Sequence, residues 1–341
     1  MKLNLLGSAA IASALFISAN MGAAASKTVD TIKKRGHIKC GVSQGLPGFS
    51  SPDSKNVWRG IDVDYCRALA SAVLKSPDKV KYVALSSKER FTALQSGEVD
   101  ILSRNTTYTM SRDTSLGLDF VGVTYYDGQG LMVRKDIGVK SAKELDGATI
   151  CVNAGTTTEL NIADYFRSNK MKYKLISFEK TDEVVAAYDA GRCDVYTTDQ
   201  SGLYAQRIKL KDKSKHIILP EVISKEPLGP AVRHGDNDFA DIARWVLYAM
   251  FEAEEFGVSS SNVAKMKKSS NPGIKRLLGE EGDMGSKLGL DKDWAFRIIK
   301  DVGNYGEIFE RNLGKNTTLG ISRGQNALWN DGGLQYAMPV R

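Results

Sequence analysis

The sequence predicts an α/β protein built from two similar lobes. Short β-rich runs alternate with amphipathic helical stretches through the first two thirds of the chain, an order typical of a parallel sheet flanked by helices. The pattern starts again after Leu145-Asp146-Gly147, so we expect two such units. Residues 93–101 (ALQSGEVDI) also align with residues 187–195 (AYDAGRCDV), and in each copy a helix ends at glycine before a new strand. Chance similarity of two helix–glycine–strand junctions is the alternative explanation.

The first unit contains three predicted strands and two predicted helices. The strands are 39–43, 80–85 and 99–103, and the helices are 61–74 and 88–95. In helix 61–74 the apolar residues recur at helical spacing on one face, namely at Ile61, Tyr65, Leu69, Ala70 and Val73. We expect that face to pack against the sheet as part of the core.

The second unit repeats this alternation. Its predicted strands are 149–153, 174–178, 193–197 and 216–219, and its predicted helices are 158–167 and 182–190. A strand at 128–133 is expected to pass from the first lobe to the second, with a return crossing at 227–232. Two crossings make the first lobe discontinuous and form a hinge.

These crossings set the expected limits of the domains. Lobe 1 is predicted to comprise residues 26–129 plus 229–256, and lobe 2 residues 130–228. Residues 257–341 form a C-terminal extension with helical stretches near 274–278 and 294–302. We expect this extension to pack on lobe 1.

Residues 1–25 have the features of a secretory signal peptide. Lys2 is followed by an apolar run from Leu5 to Ile17 and by the small residues 22–25 (GAAA). A membrane-spanning helix is the alternative, but serines interrupt the run and leave it shorter than the roughly 20 apolar residues that a span needs. We expect cleavage before Ser26 and a soluble periplasmic product.

Four cysteines in an exported chain predict two disulfides. The sequence alone allows three connectivities. Pairing Cys40 with Cys66, and Cys151 with Cys193, keeps each bridge inside one lobe, whereas the crossed pairings would tie together two mobile lobes. We therefore expect the first arrangement.

The composition argues against several classes of function. A net charge of +7 is spread over the chain without a long block of like charge, which favours a solvated surface over a nucleic-acid interface. The histidines, His37, His216 and His234, are scattered, so neither a metal site nor a His-dependent triad is indicated. With all four cysteines in disulfides, we expect neither an enzyme nor a cofactor.

Polar clusters follow three predicted strands, where open parallel sheets bind their ligands. The first, residues 104–112, ends in Arg112, whose two-pronged guanidinium suits a carboxylate; a surface arginine in a polar loop is the alternative. The second, residues 153–159 (NAGTTTE), offers N–H groups to an anion or forms an ordinary helix cap. The third, residues 196–201 (YTTDQS), leaves Asp199 at a strand end, where it either accepts from an ammonium group or caps the next helix. A cation on one lobe and an anion on the other match a zwitterion.

These clusters resemble the polar amino-acid family of periplasmic solute-binding proteins of ABC importers, over essentially the whole mature chain. The segments most like its general L-amino-acid-binding subgroup are 104–109 (RNTTYT) with Arg112, 125–130 (YYDGQG), 153–160 (NAGTTTEL) and 194–201 (DVYTTDQS). Tail segments 303–307 (GNYGE) and 328–330 (LWN) extend the similarity. The resemblance implies the two-lobed periplasmic binding protein fold (type II) with hinge crossings and a helical C-terminal extension.

The resemblance also implies roles for individual residues. Arg112 is expected to bind the α-carboxylate of the ligand, and Asp199 the α-ammonium group. Further main-chain and hydroxyl donors are expected at Asn105 and Thr107 on the first lobe and at Thr156 and Thr157 on the second. In glutamate- and aspartate-binding relatives, a serine and an arginine contact the ligand, and Ser87 and Arg90 occupy the matching positions here. Asn153 is the first residue of the second-lobe turn.

The chain departs from the family pattern at three positions of the expected ligand site, Asn105, Ser87 and Gln44. Many relatives have Gly or Ser where Asn105 stands and a ligand-stacking aromatic residue where Ser87 stands, and some have an acid where Gln44 stands. Weaker stacking and fewer fixed charges suit a broad-range site, although Arg90 favours acidic side chains.

The expected function is capture of free L-amino acids by a monomer that closes around its hinge and is recognised by a membrane-embedded ABC permease. An exported enzyme on the same fold is a different class, which turnover of a substrate would identify. The sensor domain of a receptor is a third class, and it requires a membrane segment after residue 257.

Overall fold

The computed structural model describes residues 27–341, so the predicted signal peptide lies outside the described part of the chain. The first segment alternates strands and helices. In chain order they are α1 (Lys27–Arg35), β1 (Ile38–Val42), β2 (Ser51–Pro52), β3 (Trp58–Arg59), α2 (Ile61–Leu74), β4 (Val80–Ala84), α3 (Arg90–Gln95), β5 (Ile101–Leu102) and β6 (Leu118–Phe120). A π-helical turn, Ser111–Ser115, precedes β6 and contains Arg112.

The second segment forms the other lobe. Strand β7 (Tyr125–Asp127) leads into it, and its elements are β8 (Gln129–Arg134), β9 (Ala148–Asn153), α4 (Thr157–Ser168), β10 (Tyr173–Phe178), α5 (Thr181–Asp189), β11 (Val195–Asp199), α6 (Gln200–Arg207) and β12 (His216–Ile218). The prediction of a strand at 193–197 is wrong by two residues. Backbone pairing continues to Asp199, because the antiparallel partner β8 reaches back to Gln129.

The chain then returns to the first lobe through β13 (Glu226–Leu228) and β14 (Ala231–Arg233), followed by α7 (Asn237–Glu255). The C-terminal extension contains α8 (Val263–Met266), α9 (Pro272–Leu277), α10 (Met284–Lys287), α11 (Trp294–Asp301) and α12 (Tyr305–Asn312). The helices that are not predicted from the sequence are α1, α6, α7, α8, α10 and α12. Among residues 27–341, no helix has both the length and the apolar character needed to span a bilayer.

Each lobe is built on a five-stranded mixed sheet. The first has the order β4-β1-β5-β14-β6 and the second the order β10-β9-β11-β8-β12. The prediction of purely parallel sheets is wrong in one respect: β14 in the first lobe and β8 in the second run antiparallel to their neighbours. Strands β8 and β14 are the ones that follow the crossings between the lobes. Each therefore enters its sheet from the end opposite to the one at which the parallel strands begin.

A two-stranded antiparallel ribbon of β7 and β13 forms the hinge, with Asp127 opposite Glu226 and Tyr126 opposite Pro227. The outward crossing therefore lies at β7, ahead of the predicted strand 128–133, which corresponds to β8 of the second sheet. The predicted return at 227–232 corresponds to parts of β13 and β14.

Helix α2 has the predicted bounds, and its five predicted apolar residues are all buried. Its opposite face is also buried, because the extension covers it. Ser71 donates to Asp301 of α11 (2.6 Å), and Asp64 accepts from Arg311 of α12 (2.8 Å). These contacts attach the extension to the first lobe.

The disulfides are Cys40–Cys66, which joins β1 to α2, and Cys151–Cys193, which joins β9 to the turn before β11. Each therefore lies within one lobe, in the pairing expected from the sequence. Both bridges leave the two hinge strands free to bend.

Candidate functional site

The cleft between the two lobes encloses a polar cavity beside the ends of β5, β9 and β11. It is lined by Ser43, Leu46, Ser87, Arg90, Arg104, Asn105, Thr107, Asn153, Thr156, Thr157, Thr158, Thr181, Tyr196, Thr198, Asp199, Gly202 and Gln206. Its volume is about 40 Å³, which is room for a few water molecules. A larger solute therefore enters only when the lobes separate.

Direct contacts across the cleft show that the lobes are closed on each other. The hydroxyls of Thr107 and Thr157 lie 3.3 Å apart, and Lys209 of the second lobe donates to the carbonyl of Gly45 at 2.7 Å. The closed arrangement thus joins the turn after β5 to the start of α4.

Three buried arginines stand on the first-lobe side. Arg104 donates to the carbonyl of Leu85 and to the hydroxyl of Ser87, both at 3.0 Å. Arg90 donates to Thr106 at 3.3 Å, and its Nε is buried without a protein partner. Arg112 does not line the cavity in this closed arrangement; it is buried behind the turn after β5 and donates to the carbonyl of Thr107 at 2.8 Å. The guanidinium groups of Arg90 and Arg112 both lie over the ring of Phe91, at 4.7 and 5.0 Å from its centroid.

The first-lobe side of the cleft, with its three buried arginines, favours binding of an anion. Desolvation lowers the pKa of Arg104 and of Arg112 to about 10. The pKa of Arg90 is lowered well below its ordinary value, first by burial and then by the charges of Arg104 and Arg112. A carboxylate placed among these groups would offset both effects.

Asp199 stands on the second-lobe side, at the end of β11. Burial raises its pKa well above the ordinary value, and the charges of Asp127 and Glu226 raise it further, while Arg90 and a hydrogen bond from Asn105 act in the opposite direction. An ammonium group beside Asp199 would stabilise its charged form. The side chain makes no hydrogen bond that caps α6, although the residue occupies the N-cap position. This favours the ammonium role over the capping role.

Asn105 adopts a left-handed backbone conformation, with φ of 28°. Asparagine tolerates this region better than most residues that carry a side chain. Its N–H donates to the carboxylate of Asp62 at 2.9 Å, and its Oδ1 is buried without a protein partner. The turn therefore presents an amide side chain to the cavity.

The second-lobe turn caps α4 and faces the cavity at the same time. Thr156 accepts from the N–H of Glu159 at 3.1 Å, so the capping alternative is realised. The N–H groups of Thr157 and Thr158 belong to the first helical turn and have no acceptor within the helix. Asn153, at the end of β9, has a buried Nδ2 without a protein partner. These groups suit an anion or a polar solute.

Glu226 of β13 is a part of this site that is not predicted from the sequence. Its side chain is fully buried and accepts four hydrogen bonds from both lobes. Thr107 (2.6 Å) and Thr157 (2.8 Å) donate to one oxygen, and Asn161 (2.7 Å) and Ser224 (2.6 Å) donate to the other. Glu226 therefore links the two lobes from the hinge.

The other predicted residues differ in their placement. Ser87 lines the cavity, as does Arg104, which the sequence places in the right turn without assigning it a role. Gln44 is exposed and does not line the cavity, because the chain turns at Gly45 and presents Ser43 and Leu46 instead. Gln206 of α6 is a further unpredicted lining residue, and its amide atoms have no protein partner.

One group of potential metal ligands lies outside the cleft. Within residues 27–341, ligand atoms of Asp113, Asp119 and His234 lie within 4.8 Å of one another, although the scattered histidines do not predict such a group. His234 Nε2 lies 3.2 Å from a carboxylate oxygen of Asp119, a direct contact that accounts for their proximity. We assign no metal to this group.

A hinged pair of α/β lobes around a polar cleft, with cations on one wall and a carboxylate on the other, defines a class of protein that binds small charged solutes. Residues 38–261 match the bacterial extracellular solute-binding proteins, family 3, and the chain belongs to this family. The resemblance expected from the sequence is confirmed. The expectation that the chain is not an enzyme is also confirmed, because this is a family of binding proteins.

Individual relatives extend the similarity over the whole chain. The general L-amino acid-binding periplasmic protein AapJ of Rhizobium johnstonii is 60% identical, with 100% of both chains covered. The glutamate/glutamine/aspartate/asparagine-binding protein BztA of Rhodobacter capsulatus is 56% identical, over 94% of this chain and 95% of the relative. A solved periplasmic binding protein from Brucella ovis with glutathione bound is 61% identical, with a TM-score of 0.90 over 92% of this chain and 99% of that one.

Proposed function

We propose that this protein captures free L-amino acids in the periplasm and delivers them to the membrane permease of an ABC importer. The observation that carries the proposal is the distribution of charge across the closed cleft, with buried guanidinium groups on one lobe and Asp199 on the other. Polar atoms without protein partners lie between them, on Arg90, Asn105, Asn153 and Gln206. An α-amino acid supplies an anion, a cation and further hydrogen-bonding groups in one molecule.

In this proposal, each lobe binds a different part of the α-amino and α-carboxyl groups that all amino acids share. Arg112 and the N–H groups at Thr107, Thr156 and Thr157 take the α-carboxylate, and Asp199 takes the α-ammonium. The Thr107 and Thr157 hydroxyl protons go to Glu226, so the main-chain groups are the better donors in the closed form. Asn105 and Asn153 provide amide contacts from either side.

The side-chain pocket is proposed to accept several residues and to favour acidic ones. Arg90 and Arg104 line the cavity with Ser87, so a side-chain carboxylate would meet fixed positive charge. The names of AapJ and BztA describe a general binder and a binder of acidic amino acids and their amides. Glutathione, bound by the Brucella protein, carries a free α-amino acid group at its glutamyl end. A site that binds the α-amino and α-carboxyl groups accepts glutathione if the cleft closes around it.

A thermal-shift screen tests the proposal directly. Protein unfolded and refolded to remove bound solute is screened against the twenty L-amino acids, glutathione, polyamines and D-glutamate. We expect stabilisation by several L-amino acids, with the largest shifts for glutamate and aspartate, because ligand binding to the native state raises its stability. Stabilisation by polyamines alone, or by D- and L-glutamate equally, would contradict it. Turnover of a ligand instead of stoichiometric binding would favour an enzyme.

Binding is expected to release protons. The pKa of Asp199 is raised in the absence of ligand, and an ammonium group lowers it, so the carboxyl loses its proton on binding when the pH lies below the raised value. Affinity for glutamate should therefore fall, by about tenfold per pH unit at most, as the pH is lowered through this range. Calorimetry in phosphate and in Tris, which differ in ionisation enthalpy, measures the protons released.

Asp199→Asn is the control for that measurement. It should weaken binding and abolish most of the proton release, since the titrating group is gone. Equal numbers of protons released by the wild-type protein and by Asp199→Asn would contradict the assignment of Asp199 to the ammonium group.

We propose that a monomer is the functional unit, because the cavity lies between two lobes of the same chain and the hinge that joins them can close it. Lobe 1 (26–129 plus 229–256) and lobe 2 (130–228) would move as rigid bodies, and the extension (257–341) would move with lobe 1. The hinge ribbon of β7 and β13 is the natural pivot. The closed form would be the one that the permease recognises.

A further inference from the structure

We propose that Asn326, in the C-terminal extension, is a positioning residue that holds hinge strand β7 against the first lobe and so supports closure of the cleft. Its side-chain amide binds both backbone groups of Tyr126. The N–H of Tyr126 donates to Asn326 Oδ1 at 2.6 Å, and Asn326 Nδ2 donates to the carbonyl of Tyr126 at 3.1 Å. Asn326 is only 3% exposed.

This contact occupies the free edge of the hinge. Tyr126 lies opposite Pro227 in the β7–β13 ribbon, and the carbonyl of Pro227 accepts from Tyr108 on the far side at 2.8 Å. The backbone groups of Tyr126 point away from β13 and would otherwise form an open strand edge. The amide of Asn326 therefore takes the place of a third strand, one residue before the chain leaves the first lobe.

Asn326 is itself tied to a rigid helix of the first lobe. The guanidinium of Arg323 donates to the carbonyl of Asn326 at 3.0 Å and forms an ion pair with Glu254 of α7 at 2.9 Å. The hydroxyl of Tyr305, at the start of α12, donates to the carbonyl of Thr124 at 2.7 Å, just before β7. The extension thus fixes the first-lobe end of β7 at two points.

The consequence concerns where the chain bends. With Thr124 and Tyr126 held, opening must occur at or after Asp127. If β7 is no longer held in place, the protein populates additional conformers in which the two lobes cannot make their closed contacts. The fraction of protein that is competent to bind the ligand is then lower. The family model ends at residue 261, so this device lies outside the part of the chain that the family as a whole defines.

The test compares Asn326→Ala with Asn312→Ala. Asn312 also lies in the extension, and its side chain donates to Asp64 of α2 at 2.7 Å, but it does not contact the hinge. Hydrogen–deuterium exchange of the Tyr126 amide reports the contact itself, and calorimetry with glutamate reports its effect on closure. The binding readout rests on the proposed function, whereas the exchange readout does not.

For Asn326→Ala we expect Tyr126 to exchange about 3- to 10-fold faster, as the loss of one or two hydrogen bonds predicts. Glutamate affinity should fall by a similar factor, with the melting temperature close to that of Asn312→Ala. Unchanged exchange, unchanged affinity, or equal effects in Asn312→Ala would overturn the proposal. If the wild-type protein binds no amino acid, the proposed function fails, and the exchange of Tyr126 alone decides whether Asn326 holds the hinge.

Discussion

Arg112→Ala is expected to abolish measurable binding of all L-amino acids, with affinity reduced by at least about 100-fold, because losing one partner of a buried charge pair costs roughly 2–5 kcal/mol. The side chain is 6% exposed, and the negative charges of Glu226 and Asp199 partly offset the lowering of its pKa by burial. The loss should extend to neutral amino acids, since this residue recognises the α-carboxylate that all of them share. Calorimetric titration with glutamate, glutamine and alanine measures it.

Two variants separate this role from a structural one. Arg112→Lys keeps a positive charge without the planar two-pronged donor, so binding should remain but be weaker. Arg59→Ala removes a 65% exposed arginine from the same lobe and should leave binding unchanged. Folding is checked by circular dichroism in each case. Affinity of Arg112→Ala within threefold of the wild type would refute the assignment.

Glu226→Ala is expected to have the second largest effect. Four donors from the two lobes would lose their acceptor, and the start of α4 would lose a favourable negative charge. Because hydrogen bonds to charged groups contribute roughly 1.5–3 kcal/mol each, we expect affinity to fall about 10- to 100-fold and the melting temperature to decrease. Small-angle scattering should show a larger radius of gyration for the ligand-free variant, as its lobes separate more readily.

Glu221→Ala provides the matched control. Glu221 lies five residues earlier, accepts from Ser141 at 2.5 Å within the second lobe, and does not reach the hinge. It should keep the affinity of the wild type. If Glu226→Ala bound glutamate as tightly as Glu221→Ala does, Glu226 would be a structural residue of the hinge and not a link between the lobes.

Local patterns in the sequence predict much of the fold. The 3.6-residue spacing of apolar residues gives the bounds of α2 (Ile61–Leu74), and the repeated helix–glycine–strand junction indicates the second lobe. The direction of β8 and β14 is not predictable in this way, since it depends on which lobe the strand comes from. The limits of β11 depend likewise on the length of its partner, which no local pattern records.

The sequence identifies those residues of the candidate site that follow the ends of strands, namely Asn105, Thr107, Thr157 and Asp199. Glu226 gives no such signal. It is a single acid in a short segment, and its donors Thr107, Thr157 and Asn161 are 119, 69 and 65 residues away. Its position in the return crossing, which lies beside the cleft in a hinged two-lobed protein, is the one sequence feature that points to a role at the hinge.

The measurement that tests the central claim most directly is calorimetric titration of refolded protein with L-glutamate and with glutarate, which differ only in the α-ammonium group. We expect L-glutamate to bind with one site per chain and glutarate to bind at least about 100-fold more weakly, because Asp199 would be left buried without its cation. Equal affinities for the two compounds, or no binding of any L-amino acid, would contradict the account.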